Sequence, residues 1–400
     1  MSPTVTEPAV IHDDPYSVEN IANPYPLLEK LREAGPVVWL DAHECYAVAR
    51  YEWVHEVLTD FETYISGGGS GPHDIRQEAE WRPPSILETD PPAHTLMRRG
   101  LSGVISPSKM RMLRERFTPP AHDLAEHIAT VGEFDGITDV AEPYPLKVFP
   151  DAVGLRPDGR ENLLPYGSMV FNAFGADNEI RAEAFAEGEK VSAWIMDSCE
   201  RENLSLTGLG ADIWAVAEAG KIEREQATLL VRALLSAGVD TTVFGIGNTL
   251  YNLSRYPDQW QKLRAEPRLA KFAVDESLRL ESPFQKFFRT VAVDTEIEGV
   301  RIPAGSKVLV FLGAANRDPR HWGPTADRFE IDRNASGHVA FGMGLHQCVG
   351  QPIARIEIEL MLQALAQRVE RLEPTGEPVP WIHNALRGWR SLPLRAVAAA

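Results

Sequence analysis

Two short β-type runs, rich in Val, Trp and Tyr, open the hydrophobic pattern at residues 36–40 and 46–49. Beyond about residue 50 the apolar period lengthens to three or four residues, and helices dominate. The clearest pattern covers about residues 224–254, where Leu229, Leu230, Ala233, Leu234 and Ala237 recur at helical spacing and Pro257 supplies the stop. About 30 residues at 1.5 Å each make a rod of about 45 Å, enough to cross a whole domain. Mid-rod, Ala237, Gly238, Val239, Asp240, Thr241 and Thr242 interrupt it, and Gly and Thr both weaken a helix. A polar notch in a buried helix is costly, so it marks a candidate functional site.

A second helix is predicted over about residues 269–281, bracketed by Pro267 and Pro283. A third is predicted to begin at Cys348 and run through Arg355, Ile358, Leu362 and Leu365. Between them lie strand-like pieces at 291–297 and 307–312 and a long loop at 313–344, a length that tends to be functional in a compact domain. Gly67, Gly68 and Gly69 lack the strand–loop–helix frame of a phosphate cradle and read as a flexible surface loop. Neither repeat nor linker divides the chain, which reads as one domain over residues 1–400 with a loosely ordered start over 1–15.

Composition narrows the class. Apolar residues at 44% and charged residues at 24% are ordinary globular usage, which excludes disorder and fibrous repeats. Forty basic against 57 acidic residues give a net charge of −17, unfavourable for nucleic acid or anionic membranes. Thirty prolines suggest many short, stiff connections. Three cysteines, Cys45, Cys199 and Cys348, fit a reducing compartment better than a disulfide framework. With no secretory pattern at the start and no run of roughly 18 apolar residues, the expectation is a soluble cytoplasmic protein.

The densest chemistry lies in Phe341-Gly342-Met343-Gly344-Leu345-His346-Gln347-Cys348-Val349-Gly350. Three glycines let the main chain pass close to something flat, and a cysteine entering a helix has its thiolate favoured by unpaired N–H groups and the helix dipole. That suits a soft anionic ligand for iron. Other readings are a buried free cysteine, a zinc site from His338, His346 and Cys348 that lacks a clear fourth ligand, or a nucleophile needing a histidine across a cleft.

The run Phe-Gly-x-Gly-x-His-x-Cys-x-Gly resembles the haem-binding loop of the cytochrome P-450 family at every fixed position. Glu276-Ser277-Leu278-Arg279 is similar to that family's Glu-x-x-Arg helix, whose pair shares one face. The resemblance covers about residues 14–395. It implies a mainly α, single-domain P-450 fold: a helical bundle with a long central helix and small β-sheets near the N-terminal half and before the haem loop. It implies haem b on the Cys348 thiolate, packed by Phe341, Gly342 and Gly350, with its propionates on His94, Arg98, Arg289 and His346. Arg328 is expected to join Glu276 and Arg279 as a structural clamp. Dioxygen is the co-substrate, with Asp240 and Thr241 as the acid–alcohol pair that handles protons. That pair favours a monooxygenase over a non-catalytic haem sensor. Electrons are expected from an iron–sulfur ferredoxin, served by a NAD(P)H-dependent reductase, docking on Arg98, Arg99, Lys109, Arg111, Arg114 and Arg116 by charge complementarity.

Within the family, Trp81-Arg82-Pro83-Pro84-Ser85, Leu163-Leu164-Pro165-Tyr166, the run from Val170 to Gly175, Leu229-Leu230-Val231-Arg232, Phe287-Phe288-Arg289-Thr290 and Leu386-Arg387-Gly388 resemble bacterial enzymes that oxidise para-substituted benzoic acids. That implies O-demethylation or hydroxylation of a substrate such as para-methoxybenzoate. Phe171, Phe174 and Phe287 are expected to sandwich the ring, Leu87 and Ala237 to complete the slot, and Arg82, Ser85 and Arg232 to serve the carboxylate. Ala233 stands where those enzymes carry a serine, no glutamine matches the one at the pocket mouth, the loop after Ser85 is one residue shorter, and Phe244 and Phe284 are bulkier. Cinnamic-type acids, or an apolar substrate such as a terpenoid or fatty acid, are the alternatives.

Overall fold

The computed structural model describes residues 6–78 and 80–399. Six strands form the larger sheet: β1 (Ala9–Ile11), β2 (Val38–Leu40), β3 (Cys45–Val48), β4 (Tyr64–Ile65), β5 (Lys286–Val291) and β6 (Lys307–Phe311), in spatial order β1–β2–β3–β6–β5–β4. β1 is parallel to β2 and β3 to β6, and the other neighbours are antiparallel. The expected loose start over 1–15 is corrected from residue 9 onward: β1 pairs with β2 and buries Ile11. Residues 1–5 lie outside the described residues.

Every residue of β5 is buried. Because side chains alternate along a strand, Phe287 and Arg289 reach one large cavity. On the opposite face Lys286 lies over the Tyr16 ring and Thr290 closes on Gly68.

Helices make up most of the rest, as expected. Those that build the site are α1 (Ala93–Val104), α2 (Pro107–Val131), α3 (Leu163–Asn172), α4 (Arg224–Gly238), α5 (Asp240–Arg255), α6 (Ala270–Leu280) and α7 (Gln351–Arg368). α5 packs on both α6 and α7, and α7 lies along α2. The most apolar 18-residue window of the rod Arg224–Arg255 has a mean hydropathy of 1.5, and 72% of that window is buried inside the protein. It is therefore a core element of this bundle. A capping box between Glu223 and Gln226 starts it. Its break falls at Val239, inside the predicted notch.

Two local expectations change. α7 begins at Gln351, with Gly350 as its cap, rather than at Cys348. The triple glycine is packed rather than flexible: Asp90 accepts hydrogen bonds from the Ser66 and Gly67 N–H groups, Lys307 donates to the Gly68 carbonyl, and Gly68 and Gly69 are buried. The long 313–344 loop carries two single-turn helices, Leu312–Ala315 and Pro319–Trp322.

Candidate active site

The loop before α7 closes on itself where the Cys348 N–H donates to the Phe341 carbonyl at 2.8 Å. Gly342 and Gly344 sit at φ 66° and 68°, the left-handed region that glycine enters without strain, and a Cβ on Gly344 would meet the Leu58 carbonyl at 2.7 Å. Cys348 is exposed, and what it faces is a cavity of about 250 Å³ in the space open to water centres. Phe341, Gly342 and Gly350 line the same cavity. Burial pushes the Cys348 thiol pKa up, while the N–H groups of Gly350 and Gln351 and the charge of Arg98 pull it down. The zinc reading fails on geometry: His338 turns to Asp275, with Nε2 at 3.5 Å, and no metal-holding group of His, Cys, Asp and Glu occurs among the described residues.

One end of the cavity is cationic. His94 and Arg98 share a face of α1 at i and i+4, Arg289 comes from β5 and His346 from the cysteine loop, and all four line it. The His94 and His346 ring centroids are 4.3 Å apart. Among the described residues, neither nitrogen of the fully buried His94, nor Nε2 of His346, has a hydrogen-bond partner. Burial, then the charges of Arg289, His94 and Arg98, push the His346 pKa down to about 2. The nearby Asp90 spends its carboxylate on the glycine loop. Buried polar groups normally have partners, so this cluster is shaped for an anion. A thiol on the floor, an apolar wall and a cationic rim together fit a flat metal macrocycle bearing two carboxylates.

The break in the rod divides its residues between two spaces. Ala237, Gly238, Thr241 and Thr242 line the large cavity. The hydroxyls of Thr241 and Thr242 donate back to the Ala237 and Gly238 carbonyls at 2.8 and 3.1 Å. Asp240 is buried on the far side, lining a small separate chamber, and its Oδ1 has no partner among the described residues. Burial, then the charge of Glu142, hold its pKa well above the usual carboxylate range. Gly167 on α3 makes room for it, since a Cβ there would lie 2.0 Å from Asp240 Oδ2. Sequence reasoning passed over Gly167, which carries no motif of its own.

Four rings wall the cavity beside α3. Phe284 stacks on Phe287 at 5.3 Å and 14°, and meets Phe171 and Phe174 at 5.4 and 5.8 Å. Phe284 is thus part of the slot. Arg82, Ser85, Leu87 and Ala237 also line it. Arg82 is already engaged: it donates to Glu88 Oε1 at 2.8 Å, while the Ser85 N–H donates to Glu88 Oε2 and the Ser85 hydroxyl to the Leu229 carbonyl. The expected pocket role of Arg232 is corrected, because it is fully buried behind the lining, donates to the Pro83 carbonyl, and lies outside the cavity wall. Phe244 is also elsewhere, against Trp381 in the small chamber.

The structural clamp is complete but differs in one member. Glu276 accepts from Arg279 through both oxygens at 2.7 and 2.8 Å. The third arginine is Arg333, whose Nε donates to Glu276 at 3.1 Å, and the expected Arg328 is exposed and contributes only its carbonyl to Arg279. The expected docking patch thins as well. Lys109 pairs with Asp212, Arg114 with Glu359, and Arg98 faces the cavity, leaving Arg99, Arg111 and Arg116 exposed.

Comparison with known proteins decides the family. The cytochrome P-450 family model matches residues 209–387. Over 388 residues the sequence is 51% identical to cytochrome P-450 CYP199A2 of Rhodopseudomonas palustris, covering 96% of this chain and 94% of that one. The chain is a cytochrome P-450. Linalool 8-monooxygenase of Pseudomonas putida is 30% identical, covering 92% of this chain and 94% of its own. The structure of CYP109Q5 from Chondromyces apiculatus superposes with a TM-score of 0.82 at 30% identity, covering 98% of this chain and 99% of that one. This P-450 is therefore a monooxygenase that uses haem b on a cysteine thiolate and dioxygen. Bacterial P-450s draw electrons from redox partners such as a ferredoxin and its reductase.

Proposed function

We propose that Cys348 holds the haem iron, that His94, Arg98, Arg289 and His346 hold the propionates, and that the substrate is a small aromatic carboxylic acid. Haem bound to a thiolate supplies electron density for cleaving dioxygen. The supporting observation for the substrate is the aromatic slot, Phe171, Phe174, Phe284 and Phe287, with the Arg82 guanidinium and Ser85 hydroxyl in its lining. The rings exclude water and hold a planar substrate by stacking, and the polar pair orients one end through charge-assisted hydrogen bonds. A carboxylate anchored there leaves the para substituent at the far end of the ring. With para-methoxybenzoate the net change is oxidation of the methyl group, consuming dioxygen, two electrons and two protons and giving para-hydroxybenzoate, formaldehyde and water. Asp240 and Thr241 are the residues that hold and pass those protons. A small acidic ferredoxin docks on the exposed Arg99, Arg111 and Arg116.

One observation favours a second reading. Arg82 is satisfied by Glu88 and Ser85 by Leu229, so the slot offers less free charge than its sequence implies, and an uncharged apolar substrate fits it. Titration of the ferric holoenzyme with para-methoxybenzoate and with its methyl ester separates the two. A low- to high-spin shift with the acid alone supports the benzoate reading. An equal shift with the ester supports the second, and no shift with either ligand overturns the benzoate assignment.

A further inference from the structure

Behind the break in the rod, a chamber of about 20 Å³ is lined by the polar groups Glu142, Ser168, Asp240 and His383 between the apolar side chains of Leu164 and Phe244. In the same measure one water needs about 10–15 Å³, together with two to four polar partners. The partners are present. Among the described residues, neither Asp240 Oδ1 nor His383 Nε2 has a hydrogen-bond partner. The Nδ1 of His383 accepts the N–H groups of Ala385 and Leu386 at 3.2 Å each, so a neutral ring carries its proton on Nε2 and presents a donor. Glu142 is half-buried at the start of the Pro143–Val153 helix, so it touches both the chamber and solvent.

We propose that this chamber holds one ordered water that connects Glu142 to Asp240, making Glu142 the entry point for protons and His383 the positioning residue of the water. The proposal rests on Asp240 as the inner acid. A proton taken from solvent by Glu142 passes to the water, the water gives another to Asp240 Oδ1, and Asp240 releases its own toward the cavity, so each carrier returns to its starting state. Two such deliveries match the two protons consumed per dioxygen.

The surrounding charges support the assignment. Burial raises the Glu142 pKa above its ordinary value, Asp135 adds to the rise and Arg390 opposes it. His383, held down to about 3 by burial and by Lys286 against the opposing pull of the Ser168 main chain, stays neutral and orients the water without titrating.

The test follows the carboxylic C=O infrared band of Asp240 in substrate-free ferric holoenzyme, identified as the band missing in Asp240→Asn, after a jump from H2O to D2O. Glu142→Gln is expected to slow its exchange roughly tenfold and Glu142→Asp to restore most of the rate, in line with a displaced proton carrier. Ser168→Leu, which fills the chamber, is expected to slow it as well, and Glu189→Gln on the exposed 188–198 helix to leave it unchanged. Wild-type exchange in both Glu142→Gln and Ser168→Leu overturns the proposal, as does a crystal structure with the chamber dry. Turnover of Asp240→Asn tests the inner acid separately: if turnover is unchanged, it is the inner reading that fails.

Discussion

Two buried carboxylates, Glu276 on α6 and Asp240 on α5, sit in helices that pack against each other and are treated in opposite ways. Glu276 accepts from Arg279, Arg333 and the Glu330 N–H. All five N–H donors of Arg279 are used, on Glu276 and on the carbonyls of Asn316, Ala326 and Arg328. Asp240 has an oxygen with no partner among the described residues and faces a polar chamber. A saturated buried network can only hold shape, because every change of protonation breaks something. An unsaturated one is costly to bury, and what it gains is a group free to take up and release a proton.

Breaking the saturated side has the largest expected effect. Glu276→Ala leaves the Arg279 guanidinium buried without its counter-charge, at a cost of about 3–5 kcal/mol. The clamp fastens α6 to the loop that leads to Cys348, so haem retention falls with it. Urea unfolding and haem content per chain check both effects.

The exchange of Arg328 for Arg333 sharpens the same point. Arg333→Ala removes the bond to Glu276 and those to Trp322, Thr325 and Glu330, with an expected loss of about 1.5–3 kcal/mol. Arg328→Ala removes an exposed side chain that makes no ion pair among the described residues, and is expected to stay within about 0.5 kcal/mol. Equal losses from the two variants contradict the clamp described here.

This substitution also marks how far the sequence could be read. The cysteine loop, the Glu-x-x-Arg pair and the notch in the rod were legible because each packs its chemistry within ten residues, where spacing determines geometry. Arg333 was not, since both arginines follow the same helix by similar distances and only the path of the 313–344 loop decides which one turns inward. The tight packing of Gly67 to Gly69 depends on Asp90 and Lys307, and the pairing of Arg82 depends on how the Ser85 turn folds Glu88 back toward it. The strand at Ala9–Ile11 exists because β2 offers it an edge. In each case a partner outside the local window set the outcome.

On the unsaturated side, Asp240→Asn is expected to raise stability while slowing oxygen activation. Burial holds the folded-state pKa of Asp240 high, so above the ordinary carboxylate pKa the unfolded chain ionises where the folded chain does not, and wild-type stability falls as pH rises. The asparagine variant lacks this loss. Its advantage is expected to widen as pH rises above the ordinary carboxylate pKa, measured by denaturant melts at several pH values. An advantage that shrinks as pH rises contradicts a high folded-state pKa at this site.

A smaller pH-dependent effect is expected at His383, in the same chamber. Its folded pKa is depressed to about 3 by burial and by Lys286, whereas an unfolded histidine titrates near 6.5. Between those values the unfolded chain binds a proton that the folded chain refuses, so stability drops as pH falls below about 6.5. From pH 6.5 to 5.5 this one group accounts for about 1 kcal/mol. Asparagine keeps an acceptor for nearby main-chain N–H groups and removes the titration. His383→Asn should therefore match wild type most closely at pH 7.5 and lose less on acidification. Parallel pH profiles for the two proteins imply instead that His383 already carries a proton when folded, and then it orients no water by donating from a neutral ring.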